Sequence, residues 1–272
     1  MRKRILSGLL SAAVMLSLAG CGMPKLFGKT QVTQPDPAPQ EAAVQVDPET
    51  PAPTPEPTPE PTPEPYADRP NIDIHSWEYT LCNSYNSIGE FAPAYSGFEG
   101  QGIEEKMIGP LNEFLGAARA AGFQAYCSVI LRNYEFQESH YLSYVNNVAG
   151  GDAVAAADRR LGPGLNEHQT GLAVDFTDNA SFSASYDYDS VDDSYLKDTD
   201  LYRWLVDNCT AYGFILRYPE GKEEFYGVAC NHPAHFRYVG KEAAQYMKEH
   251  DLCLEEFLML YEGNDVYLPP KD

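Results

Sequence analysis

The chain has 272 residues, with 40 acidic against 19 basic side chains and a formal net charge of −21. A surface of that sign repels nucleic acid and other anionic polymers, and no basic patch interrupts it, so nucleic acid is excluded as a partner.

Residues 1–21, "MRKRILSGLLSAAVMLSLAGC", set Arg2, Lys3 and Arg4 before an apolar run that ends in small residues. This is the layout of a secretory signal, and the run is too short for a membrane span. The "LAGC" ending resembles a bacterial lipobox, which implies that Cys21 is lipidated and becomes the mature N-terminus. The expectation is an exported protein anchored by lipid to the outer face of the cell membrane. Loss of the three leading basic residues takes the net charge to −24.

Residues 22–66 are rich in Pro, Thr and Glu, with a repeated Thr-Pro-Glu-Pro. Such a segment lacks the apolar residues for a core and favours extended polyproline II, so it reads as a disordered spacer reaching on the order of 100 Å. Residues 67–272 then make one domain of ordinary size. Five cysteines remain there, Cys82, Cys127, Cys209, Cys230 and Cys253. In an exported domain an odd count predicts at most two disulfides and one free thiol.

Within the domain, 108–123 has apolar residues at helical spacing and stops at Gly122. Residues 124–132 are rich in strand formers, 133–150 return to helical periodicity, and 152–162 are alanine-rich and helical. "GLAVDFTD", 171–178, alternates as a strand, and 198–214 reads as a helix ending at Gly213. The acidic run 185–200 lacks the glycine and terminal glutamate of an EF-hand and reads as a solvated loop. "FILRYPEG" and "EFYGVACNHPAHFRYVG" read as two strands joined by a turn near Glu220-Gly221, and one or two helices close the chain. Helices and short strands without a regular βαβ rhythm predict an α+β fold with a small, partly antiparallel sheet.

Two stretches carry the chemistry. In "NEHQTGLAVDF", His168 leaves a turn that Gly171 permits, and Asp175 follows in a strand between Val174 and Phe176. A carboxylate among apolar residues is costly to bury unless a cation pairs with it. In "GVACNHPAHFRYVG", His235 opens another strand pattern and offers a third ligand. Two histidines and an aspartate leave one position open for water, which is the arrangement of a catalytic zinc.

"EHQTGLAVDF" followed by "HFRYVG" resembles the VanY-like zinc D-alanyl-D-alanine carboxypeptidases, over roughly residues 120–247. The family's first block has the form Ser-x-His-x-x-Gly-x-Ala-x-Asp. His168, Gly171, Ala173 and Asp175 match it, and Asn166 stands in the serine place. An upstream Tyr-Arg-Ser block with a later glutamine appears as "LRNYEFQ", with Arg132 and Gln137 in place and Leu131 and Asn133 departing. The resemblance implies a hedgehog-like fold with the zinc at the sheet edge, held by His168, Asp175 and His235. It further implies that Arg132 and Gln137 bind a substrate, the peptidoglycan stem peptide ending in D-Ala-D-Ala.

The family's last block usually reads Glu-Pro-Trp-His, where the glutamate is the general base; here it reads His232-Pro233-Ala234-His235. His232 thus takes the catalytic position. An imidazole accepts a proton near neutral pH, but as a fourth ligand it would close the site. Glu223 and Glu224 lie upstream as other carboxylates, and Cys230 reads as structural. The resemblance implies a membrane-tethered D,D-carboxypeptidase. The alternatives are a non-catalytic lipoprotein that binds peptidoglycan peptide, or an endopeptidase of the same fold.

Overall fold

The computed structural model describes residues 66–183, 194–229 and 232–270. The signal segment with Cys21, the spacer up to residue 65, most of the acidic run and Cys230 lie outside the described residues.

The first strands form a hairpin that the sequence did not announce. Strands β1 (Tyr95–Phe98) and β2 (Gln101–Glu104) pair antiparallel. Glu99 and Gly100 between them both have positive φ, 45° and 87°, the backbone that a two-residue turn needs to match the twist of its strands. Helix α1 (Ile108–Ala120) follows and buries Leu111, Phe114, Leu115 and Ala118, the stripe its periodicity predicts.

Four more strands form the main sheet: β3 (Tyr126–Val129), β4 (Ala173–Thr177), β5 (Phe214–Leu216) and β6 (His235–Tyr238). Their spatial order is β3-β4-β6-β5 and every neighbouring pair is antiparallel. Helices α2 (Tyr134–Asn147) and α3 (Ala153–Ala157) lie between β3 and β4 in the chain. Helix α4 (Asp200–Asn208) precedes β5, and α6 (Lys241–Glu249) and α7 (Leu254–Met259) close the domain. The fold is α+β, as the mixed pattern predicts.

The expected long strand before His235 is not there. Glu223–Tyr226 is instead a single helical turn, α5, ended by Gly227 at φ 75°, and among the described residues of that pattern His235–Tyr238 pair in the sheet. Pro233 has no N–H to offer a ladder, which explains why pairing starts at His235. His232 therefore lies before the strand, not on it.

Strand alternation separates the two sheet faces. Val174, Phe176, Phe214 and Phe236 join the core with α1, where the Phe114 ring lies 5.2 Å from Phe176, 5.2 Å from Phe214 and 5.9 Å from Phe236. Burying each such ring stabilises the fold by about 1.5–3 kcal/mol. The opposite face carries Asp175, His235 and Arg237, and a second apolar cluster holds Ile215 together with Ala244, Met247 and Phe257 of the closing helices.

Among the described residues Cys82, Cys127, Cys209 and Cys253 form no disulfide with one another, within the upper limit of two that the count allows, and each is buried. Burial pushes the Cys209 thiol up to about 11, and the other three higher still.

Candidate metal centre

His168 sits in a 3-10 turn, Glu167–Thr170, opened by Asn166 and closed by Gly171. The Asn166 side chain accepts the His168 N–H at 3.0 Å, a capping role that serine and asparagine share. The departure from serine therefore leaves the turn intact. Gly171 has φ 70°, and an added Cβ would lie 2.8 Å from the backbone nitrogen of Glu104 at the end of β2. Only glycine allows this turn and the hairpin to approach so closely. The chain then enters β4, where Asp175 pairs in register with His235 at the start of β6.

Ligand atoms of His168, Asp175 and His235 all lie within 4.8 Å of one another, and all three residues are buried. His168 Nε2 is 3.0 Å from Asp175 Oδ2, and His235 Nδ1 is 2.7 Å from Asp175 Oδ1. The far nitrogen of each ring also faces an oxygen. His168 Nδ1 is 2.8 Å from the Ile130 carbonyl, and His235 Nε2 is 3.5 Å from Glu167 Oε2. With a cation held between the rings and Asp175, His168 would keep its proton on Nδ1, toward the Ile130 carbonyl, and His235 on Nε2, toward the Glu167 carboxylate. Each ring then turns its other nitrogen's lone pair to the ion beside the Asp175 carboxylate. Two imidazoles and one carboxylate suit zinc and leave a further coordination position. The residues present fit the metal that the sequence pattern implies.

Burial works against the charge of Asp175, but the imidazoles of His168, His232 and His235 outweigh it and hold the carboxyl well below its usual range. His232 is itself buried, yet it is not one of the three converging ligands. Its Nδ1 accepts the Ala234 N–H at 3.1 Å. With His235, Tyr218 and Glu223 it lines a cavity of about 510 Å³. Glu223 faces that cavity from its outer wall, and its Oε1 accepts the Gly221 N–H at 3.1 Å.

Arg132 and Gln137 sit on the segment leading from β3 into α2. The Arg132 N–H donates to the His168 carbonyl at 3.1 Å, so the two residues are fastened through backbone, and the Arg132 side chain is buried. Asn133, a departure in the sequence, caps α2 by accepting the Phe136 N–H at 2.9 Å. Gln137 donates Nε2–H to the Leu161 carbonyl at 2.7 Å. Its Oε1 is buried with no hydrogen-bond partner among the described residues.

The sequence reading passed over a buried ionic group behind His235. Glu167 Oε1 accepts from Arg217 Nε at 2.7 Å and from Arg237 Nη1 at 2.6 Å. Arg217 also forks onto Glu255 of α7 through Nη1 and Nη2, at 3.1 and 2.5 Å, and Asn83 donates to Glu255 at 2.6 Å. Burial opposes ionisation of Glu167, but the two guanidiniums outweigh it and hold its carboxyl far below the ordinary range. Two acids and two arginines, each fully buried, balance in charge. Their sequence signal was an arginine in each of the apolar runs "FILRYP" and "HFRYVG", where a charge needs a buried partner.

The family model for VanY, D-alanyl-D-alanine carboxypeptidase, matches residues 100–241. A D-alanyl-D-alanine carboxypeptidase of Enterococcus faecalis (strain ATCC 700802 / V583) is 33% identical over 198 residues, covering 68% of this chain and 67% of that protein. Among solved structures, a variant of the vancomycin resistance D,D-pentapeptidase VanY in complex with Zn(II) aligns with a TM-score of 0.55 and 33% identity, covering 67% of this chain and 99% of that one. VanYB in complex with D-alanine-D-alanine aligns with a TM-score of 0.56 and 31% identity, covering 69% and 100%. The metal-ligand trio and the capped turn that delivers it lie inside the matched region, and the chain belongs to the VanY D-alanyl-D-alanine carboxypeptidase family.

Proposed function

We propose that this protein is a zinc D,D-carboxypeptidase that removes the terminal D-alanine from peptidoglycan stem peptides ending in D-Ala-D-Ala. The observation that carries this reading is the convergence of His168, Asp175 and His235, whose outer nitrogens are already occupied by Ile130 and Glu167. Zinc held by these three residues supplies Lewis-acid chemistry at the scissile carbonyl. His168 and His235, with their outer nitrogens on Ile130 and Glu167, would present their inner lone pairs to the ion, and Asp175 would offset part of its charge. Arg132 is the residue to receive the terminal carboxylate of the peptide, because a guanidinium fork matches two carboxylate oxygens. The family pattern assigns Gln137 to the same peptide, and its buried Oε1, unmatched among the described residues, supports that role. His232 stands in the sequence position of the family's glutamate, in the wall of the same cavity as His235.

The replacement of that glutamate favours a second reading, a zinc-holding module that binds the peptide without cutting it. Incubation of the purified, zinc-loaded protein with a stem pentapeptide separates the readings by mass spectrometry. The carboxypeptidase yields tetrapeptide and free D-alanine; an endopeptidase cuts only cross-linked dimers; a binding module leaves both intact. Lipid attachment at Cys21, with the proline-rich segment as spacer, would hold the domain within reach of the wall. That placement is tested by fractionating cells: Cys21→Ala should move the protein from the membrane fraction, and an unchanged distribution would refute the anchor.

A further inference from the structure

Strand β3 is an outer strand of the main sheet, and its pairing with β4 slips between Cys127 and Val129. A side chain, not a neighbouring strand, serves backbone groups on either side of that irregularity. Gln101, the first residue of β2, donates Nε2–H to the Cys127 carbonyl at 3.0 Å, and its Oε1 accepts the Ile130 N–H at 3.0 Å. A carbonyl only accepts and a backbone N–H only donates, so a single orientation of the carboxamide satisfies both. Gln101, Cys127 and Ile130 are all buried, where losing either bond is costly. The hairpin that carries Gln101 is itself fastened here. Arg119 of α1 forks onto Glu99 in the hairpin turn at 2.8 and 3.2 Å and donates to the Ala125 carbonyl at 2.9 Å.

Ile130 connects Gln101 to the metal centre. Its carbonyl lies 2.8 Å from His168 Nδ1, and two residues on, the Arg132 N–H donates to the His168 carbonyl at 3.1 Å. The far end of β2 reaches the same turn, where the Glu104 N–H donates to the Gly171 carbonyl at 3.3 Å. We infer that Gln101 is a positioning residue of the metal centre: it fixes the Ile130 backbone, so that the Ile130 carbonyl holds the His168 ring with its inner nitrogen toward Asp175. The inference rests on the zinc reading of the site. A ring oriented in advance gives up less freedom when it takes the ion, and groups that orient a ligand ring commonly contribute about 10–100-fold in metal affinity. Arg132 continues from the same segment, so the substrate side of the site shares this support.

Gln101→Met keeps the length of the side chain and removes both bonds. Zinc affinity, read by competition with a chromophoric chelator, should fall by about tenfold. Gln101→Asn draws the amide back by one methylene, should lose affinity to a similar extent, and supplies the test if the methionine variant does not fold. Met247→Ala, which opens a cavity in the second apolar cluster, should also lower Tm but leave zinc affinity at the parental value. A spectroscopic reading separates positioning from a general loss of stability. With cobalt(II) in place of zinc, the N–H protons of the two liganding rings give separate, strongly shifted NMR signals. Gln101→Met should move the His168 signal and leave the His235 signal in place. In the unsubstituted protein, the Gln101 Nε2–H that faces Cys127 should be protected from solvent exchange. Zinc held as tightly by the Gln101 variants as by the parent overturns the assignment. Equal displacement of both ring signals, or Gln101 amide protons that exchange freely in the parent, overturns it as well. A parent that binds no zinc refutes the metal reading and this inference with it, whereas loss in the other tests alone refutes only the role of Gln101.

Discussion

Asp175 and His235 face each other across the two central strands of the sheet, with Asp175 Oδ1 2.7 Å from His235 Nδ1. His168 closes the group from a turn only a few residues upstream, so one strand pair and one capped turn bring the three candidate ligands together.

The first consequence concerns metal. Asp175→Asn removes the only negative ligand, and zinc content measured by atomic emission should fall below one ion per chain. Zinc at a hundred times its Kd should stabilise the parent by about 2.7 kcal/mol. That increment should be absent from thermal melts of the variant and should vanish in the parent when a chelator is added.

Glu167 Oε2 lies 3.5 Å from the outer nitrogen of His235, so it should tune metal binding there. Glu167→Gln replaces the anionic acceptor of His235 Nε2–H and should weaken zinc binding by about 10–100-fold, read by competition with a chromophoric chelator. Arg217 and Arg237 lose their shared carboxylate in the same step, at a stability cost of about 3–5 kcal/mol in urea melts. Arg217 keeps Glu255, and Arg237 keeps the Glu78 and Thr80 carbonyls at 2.8 Å each, which places the cost at the lower end of that range.

The turn carrying His168 discriminates between near-equivalent residues. Asn166→Ser should leave stability unchanged, since either side chain caps the turn, while Asn166→Ala should cost about 1 kcal/mol. Gly171→Ala should cost more, about 1–3 kcal/mol, because its positive φ is strained for alanine and the new Cβ would press on the Glu104 backbone. Denaturant titration of the three variants checks the order.

These residues also show what the sequence disclosed. His168, Asp175 and His235 were legible because ligand types at fixed spacing on strand patterns are chemically distinctive, and helices such as α1 were legible from the spacing of Leu111, Phe114, Leu115 and Ala118. Glu167 was hidden because its partners, Arg217 and Arg237, lie fifty and seventy positions away and meet it only in the folded chain. The hairpin β1–β2 escaped because its turn residues, Glu99-Gly100, are not the usual asparagine-glycine signal. The segment before His235 misled because its aromatic and β-branched residues favour strands, while Gly227 and Pro233 break the ladder.

A further consequence concerns acid. Lys222 Nζ lies 2.8 Å from Glu256 Oε2, and Glu256 also accepts the Cys253 N–H at 2.9 Å. Burial works against the charge of Glu256, but these donors outweigh it and hold its carboxyl below the ordinary value. A carboxyl depressed in the fold stabilises it above the unfolded value, about 4.3, and that contribution is lost as the pH falls through the lower folded value. Glu256→Gln should therefore lower Tm at pH 7, and the gap to the parent should close as the pH falls below the ordinary carboxyl value.

The most direct test of the account is D-alanine release from a stem pentapeptide ending in D-Ala-D-Ala, measured on the zinc-loaded protein, on the chelated protein and on Asp175→Asn. The account predicts release by the first alone. Equal release by all three, or none from a protein shown to hold one zinc ion, would contradict it.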